Sequence, residues 1–191
     1  MGADRLPQTP WQTVGPFFHY ALPWTDGGVL TTPETQGERI TLTGRIFDAD
    51  GAVVPDAMVE IWQANAAGRY RHPDDRRADL AVDPAFIGFG RAPTNAEGVY
   101  RFETVRPGRV PGPGNSLQAP HIAISLLGRG LLKRLATRLY FPDAAENEDD
   151  PILALVPETR RQTLIATRID DHAYNFDIII QGAHETVFFD V

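Results

Sequence analysis

The chain contains no cysteine among its 191 residues. That absence removes disulfides, thiolate zinc sites and cysteine nucleophiles together, and it fits a reducing compartment. No apolar run approaches the roughly 20 residues needed to cross a bilayer. The opening stretch Met1 to Pro7 also lacks the apolar centre of a secretory leader, so a cytoplasmic location is expected. Positive charge is scarce: 18 Lys and Arg stand against 25 Asp and Glu, with no basic run. A surface of that sign does not suit nucleic acid, and an anionic ligand would need a local cation. Other chemistries are missing as well. Without a Gly-x-Ser-x-Gly elbow a hydrolase reading has no support. Gly112-Pro113-Gly114-Asn115-Ser116 lacks the lysine and helix of a phosphate loop. Asp48, Asp50 and Asp56 do not have the spacing of a calcium loop and read as surface turns.

What is present is punctuation. Sixteen prolines and 17 glycines separate short apolar runs, the pattern of an all-β domain with many turns. From Arg39 onward Ile40, Leu42, Gly44 and Ile46 alternate with Thr41, Thr43 and Arg45, as in a half-buried strand. Further strands are expected over Ala57 to Gln63, Val99 to Thr104, His121 to Leu126, Arg138 to Phe141, Tyr174 to Gln181 and Thr186 to Asp190. One short helix is expected from Pro157 to about Ala166, proline suiting a first helical position. These elements predict a β-sandwich over 39–191, preceded by an extended N-terminal arm over 1–38. Two long loops, Asn65 to Arg91 and Arg106 to Pro120, are where function tends to sit on a rigid sandwich. In the arm Trp11, Phe17, Phe18 and Trp24 are more aromatic surface than a lone monomer covers easily, and they predict an interface.

Tyr70 and His72 lie two apart, so an extended segment places both on one side. His121 opens a strand directly after Pro120. Residue chemistry alone gives each an ordinary structural reading, a hydrogen-bonded side chain near a loop, beside the reading as a ligand.

The order of segments adds a resemblance. Asp56-Ala57-x-Val59-Glu60-Ile61-Trp62-Gln63-Ala64-Asn65-Ala66-x-Gly68-x-Tyr70 resembles the signature of the intradiol ring-cleavage dioxygenases. So do Gly90-Arg91-x-x-Thr94, Glu97-Gly98-x-Tyr100-x-Phe102-x-Thr104, Arg106-Pro107-Gly108, Pro120-His121-Ile122, Thr137 to Phe141 and Phe176-Asp177-Ile178. The likeness runs from about Leu6 to the C-terminus. Both ends, Thr9-Pro10-x-Gln12-Thr13-x-Gly15-Pro16 and Gln181 to Asp190, are similar to the alpha subunit of the members built from two unlike chains.

Catalytic members of that family hold Fe(III) with two tyrosines and two histidines. Iron(III) is a hard cation, and direct bonding deprotonates a phenol whose free pKa is about 10. The resemblance carries one tyrosine ligand onto Tyr70 and one histidine onto His121. It carries the other two onto Val110 and Ala123, which cannot donate to a metal. Gln118 stands where catalytic chains have an arginine. The resemblance therefore implies a vestigial site with no metal in this chain and Fe(III) held by a beta subunit of the same fold. It further implies that Thr13, Gly15, Pro16 and Arg129 contribute to the cavity over that iron. Arg129 would meet the carboxylate of 3,4-dihydroxybenzoate, with Lys133 and Arg134 close by as alternatives. Two other readings stay open: a self-sufficient dioxygenase with atypical ligands among Asp74, Asp75, Asp79 and Asp83, and a non-catalytic β-sandwich binding module.

Overall fold

The computed structural model describes residues 10–15 and 17–191. Eleven strands carry the fold: β1 (Arg39–Phe47), β2 (Met58–Trp62), β3 (Phe89–Pro93), β4 (Val99–Val105), β5 (Val110–Pro111), β6 (Leu117–Gln118), β7 (His121–Leu127), β8 (Leu135–Tyr140), β9 (Thr167–Arg168), β10 (Ala173–Asn175) and β11 (Ile178–Ile179). In one sheet β1 is central, with β4 antiparallel on one side and β10 and β11 parallel on the other. The second sheet runs β3-β2-β7-β8, antiparallel throughout, and β5 and β6 form a separate ribbon. The expected β-sandwich is present. No described helix is long and apolar enough to cross a membrane.

Alternation dictates the core. Ile40, Leu42 and Ile46 from β1 and Tyr100 and Phe102 from β4 meet Val59, Ile61, Ile122, Ile124, Leu126 and Leu139 of the facing sheet. Each fully buried side chain of this size contributes roughly 1.5–3 kcal/mol. The arm joins this core. Gly27 O accepts from Arg91 N in β3, while Gly28 O and Leu30 N bond Glu103 in β4. Residues 27–30 thereby link the edges of the two sheets, and Leu30 is buried between them.

Four local expectations change. β3 is hidden inside the long loop because its inward positions are the small Gly90 and Ala92, and a Cβ on Gly90 would lie 2.5 Å from Leu30 Cδ1. Leu30 supplies the core atoms that the strand itself lacks. The single strand expected over Tyr174 to Gln181 is split, because the Asp177 carboxylate accepts the Arg45 N–H where a ladder bond would run. Thr186 to Asp190 makes one bridge, Phe189 with Ala136, beside β8. The helix begins one residue later than Pro157 and is a single turn, α2 (Glu158–Arg161), followed by a 3-10 turn, Gln162–Leu164. It stops there because Ala166 N–H bonds the Tyr140 carbonyl at the edge of β8. One further turn, α1 (Phe18–Ala21), lies within the arm.

Candidate functional site

The segment after β2 turns on the Asn65 side chain. Asn65 Oδ1 accepts the N–H groups of Ala67 (3.0 Å) and Arg69 (2.9 Å), and Nδ2 donates to Ala81 O. The turn it closes passes so near the second long loop that a Cβ on Gly68 would lie 2.0 Å from Arg109 O, and Gly68 has φ +79°. Only glycine fits that approach and that backbone. The turn delivers Tyr70, whose N–H bonds Asp75 Oδ2, and Asp75 is in turn gripped by Arg77. The Arg77 hydrogen bond holds the Asp75 carboxyl far below the usual carboxylate range.

Tyr70 and Val110 line the same cleft of about 650 Å³, with Trp62, His72, Asp74, Asp75, Arg76, Arg77, Pro111 and Gln118. Trp62 stacks on Tyr70 with centroids 5.5 Å apart, and His72 meets the Trp62 edge at 6.2 Å. Cross-strand pairing continues from Trp62: it lies opposite Ala123, and Ala123 lies opposite Arg138. Arg138 donates to Gln118 Oε1 at 2.6 Å.

His121 is buried beside this row, 5.8 Å from the Tyr140 ring, and its Nδ1 donates to Ala119 O at 2.8 Å. Burial, with the Arg138 charge added, pushes its pKa down to about 4, so the ring is neutral at pH 7. The loop before it is pinned by the buried Asp150, which accepts from Ala119 N, Tyr140 Oη, Ile152 N and Leu153 N. Burial raises the Tyr70 phenol above its ordinary value, and the Arg138 charge opposes that rise.

The four positions carried by the resemblance, Tyr70, Val110, His121 and Ala123, are therefore grouped around one end of β7. Two present a donor and two present hydrocarbon. Among the described residues, no group of three His, Asp or Glu side chains is arranged to hold a metal. Of the four aspartates after Tyr70, Asp75 binds Arg77 and Asp83 accepts the N–H groups of Gln36 and Ala85, while Asp74, 3.6 Å from His72, and Asp79 are exposed. One phenol and one imidazole beside a guanidinium do not match a set of two tyrosines and two histidines for Fe(III).

Thr13, Gly15 and Arg129 lie at the other end of β7, which spans about 20 Å. Gly130 N–H donates to Thr13 Oγ1 at 2.9 Å. Gly15 is exposed, with nothing within 4 Å of where a Cβ would stand. Pro16 lies outside the described residues. The Arg129 side chain is 62% exposed, and Asp56 Oδ2 engages its Nε and one Nη. Lys133 pairs with Asp190, and Arg134 bonds Ser125 Oγ. Neither the place of Arg138 nor the Asp56 contact with Arg129 is visible in the sequence. Alternation along 138–141 contained the first, but nothing local marked it.

This sandwich with its interrupted tyrosine and histidine cluster is that of the intradiol dioxygenases, and the chain belongs to the dioxygenase family, whose pattern it matches over residues 14–182. Within the family it is closely homologous to protocatechuate 3,4-dioxygenase alpha chains. It is 43% identical to that of Burkholderia cepacia, over 97% of this chain and 98% of the relative. It is 41% identical to that of Pseudomonas putida over the whole of both. The beta chain of the Burkholderia cepacia enzyme is 44% identical over 80% of this chain and 68% of its own length. The fold matches hydroxyquinol 1,2-dioxygenase of Pseudomonas putida DLL-E4 with a TM-score of 0.63, at 19% identity, over 92% of this chain and 68% of that one. The family depends on non-haem iron(III) in general.

Proposed function

We propose that the chain is the alpha subunit of a protocatechuate 3,4-dioxygenase and works as half of a pair with an iron-bearing beta subunit. The observation that carries this reading is the separation along β7. The donor-poor cluster of Tyr70, Val110, His121 and Ala123 is at one end, and the exposed Thr13, Gly15 and Arg129 are at the other. Residues that line no cleft with Tyr70 are free to complete a cleft on a neighbour. The homology to both alpha and beta chains supports a partner of the same fold.

On this reading the ferric ion belongs to the beta subunit. The cytoplasmic assembly inserts both atoms of O2 between the two hydroxylated carbons of 3,4-dihydroxybenzoate, giving 3-carboxy-cis,cis-muconate. This chain's part is recognition. Asp56 engages the Nε side of the Arg129 guanidinium, leaving its other N–H donors for the substrate carboxylate. Thr13, tied to Gly130, holds the arm beside that arginine, and the glycine at 15 lets backbone approach the aromatic ring closely. Residues 1–38 act as the arm that reaches the partner, and 39–191 as the dioxygenase domain. Co-expression with the beta chain tests the assignment: O2 uptake dependent on 3,4-dihydroxybenzoate appears only when both chains are present. Equal uptake by the beta chain alone would reject it.

A further inference from the structure

Arg138 is the charged group that the proposed function leaves unused. It belongs to β8 in the cross-strand row Trp62, Ala123, Arg138, whose first member lines the Tyr70 cleft, and it bonds Gln118, which lines the same cleft. Around it stand groups suited to surround a cation: the phenols of Tyr70 and Tyr140, the His121 imidazole and the Gln118 amide oxygen. Its field reaches both phenols and the imidazole. The amide oxygen accepts its hydrogen bond, and the Phe189 ring face lies 5.9 Å from its guanidinium carbon. Arg138 forms no ion pair among the described residues. The two carboxylates of the neighbourhood are engaged elsewhere: Asp150 accepts four hydrogen bonds from Ala119, Tyr140, Ile152 and Leu153, and Asp75 is held by Arg77. The guanidinium is thus a fixed, half-buried and unneutralised positive charge where the donors converge.

We propose that Arg138 takes the place of a metal ion in this chain, supplying the positive charge that the donor cluster surrounds and thereby excluding iron. The inference rests on reading Tyr70, Val110, His121 and Ala123 as remnant ligand positions. A side chain at 123 is a direct cross-strand neighbour of Arg138, with Cβ atoms about 4.5–5.5 Å apart. A ligand restored there would bring a ferric ion against a like charge. Like charges that close repel strongly in a partly desolvated site. Missing donors are therefore only half of the barrier to iron.

The test restores the donors with and without the arginine. Full-length V110Y/A123H, V110Y/A123H/R138Q, R138Q and unaltered chains are prepared alike, with the partner present if it is needed for folding. Iron is counted as the excess over the unaltered protein, so iron on a partner cancels and the result does not depend on the subunit assignment. Tyrosinate-to-iron absorption in the visible reports the same event independently. The expected result is little excess iron in V110Y/A123H and roughly tenfold more in the triple variant. Equal loading of the two, or no loading of a folded triple variant, overturns the proposal. If the buried Val110 position does not accept tyrosine, A123H with and without R138Q gives the same comparison with three donors, read by Co2+ titration. Binding only without Arg138 is expected, and equal binding overturns the proposal.

Discussion

The Thr13 hydroxyl oxygen accepts a hydrogen bond from the Gly130 N–H at 2.9 Å, joining the N-terminal arm to the loop that carries Arg129. These positions are 117 apart in sequence. The contact gathers the proposed recognition groups at the end of β7 away from Tyr70.

Arg129→Ala in the assembled enzyme is expected to raise KM for 3,4-dihydroxybenzoate about tenfold, or about 1.4 kcal/mol, in line with an exposed charge-assisted hydrogen bond. Iron content stays unchanged. Asp56→Asn, which loosens the guanidinium without removing it, raises KM by less and leaves the melting temperature nearly unmoved, since exposed pairs contribute roughly 0–1 kcal/mol. Steady-state kinetics check both. Unaltered kinetics in R129A would remove Arg129 from the site.

His121 makes the fold sensitive to acid. Its folded-state pKa is about 4, below the ordinary 6.5, so the unfolded chain binds the extra proton between those values. Its contribution to stability is full above 6.5 and is lost as pH falls toward 4, at about 1.4 kcal/mol per unit at most. Denaturant midpoints measured at pH 7, 6 and 5 should fall more steeply for the unaltered chain than for His121→Phe. Parallel slopes would mean the ring is solvated.

Asn65→Ala removes two accepted bonds and one donated bond from a turn otherwise tied by side chains through Arg69 to Leu80 O and Arg77 to Gly68 O. The expected loss is about 2–4 kcal/mol, a fall of roughly 5–15 °C in Tm for a chain of this size. The Trp62–Tyr70 stack should loosen in the same variant, weakening the aromatic circular dichroism. Calorimetry and near-ultraviolet circular dichroism read both changes.

The arm divides at about Gly27. Leu30→Ala should cost about 2–5 kcal/mol, since the residue is buried against β3 and no side chain at Gly90 can fill the space. Phe17, 75% exposed, belongs to the part proposed to meet the partner. Phe17→Ser should leave the unfolding midpoint of the chain unchanged but weaken association with the beta chain, read by sedimentation at falling concentration.

Much of the sandwich was legible because its inner faces obey a strict period of two, as Ile40, Leu42 and Ile46 or Ile122, Ile124 and Leu126 do. β3 escaped because its inward residues, Gly90 and Ala92, are too small to show a hydrophobic alternation, and Leu30, far away in sequence, fills the space beside Gly90. The break between β10 and β11 escaped because a side chain, Asp177, replaces a backbone acceptor. The ligand positions were legible only through ordered segments, since no local pattern links Tyr70 to His121. Arg138 and Asp56 act through cross-strand and loop contacts that emerge only when the sheets assemble.

Iron per chain, measured on this chain purified alone and on its complex with the beta chain, tests the central claim most directly. The account predicts a colourless, iron-free single chain and a red-brown complex with one iron per pair. Stoichiometric iron and activity in the single chain would contradict it.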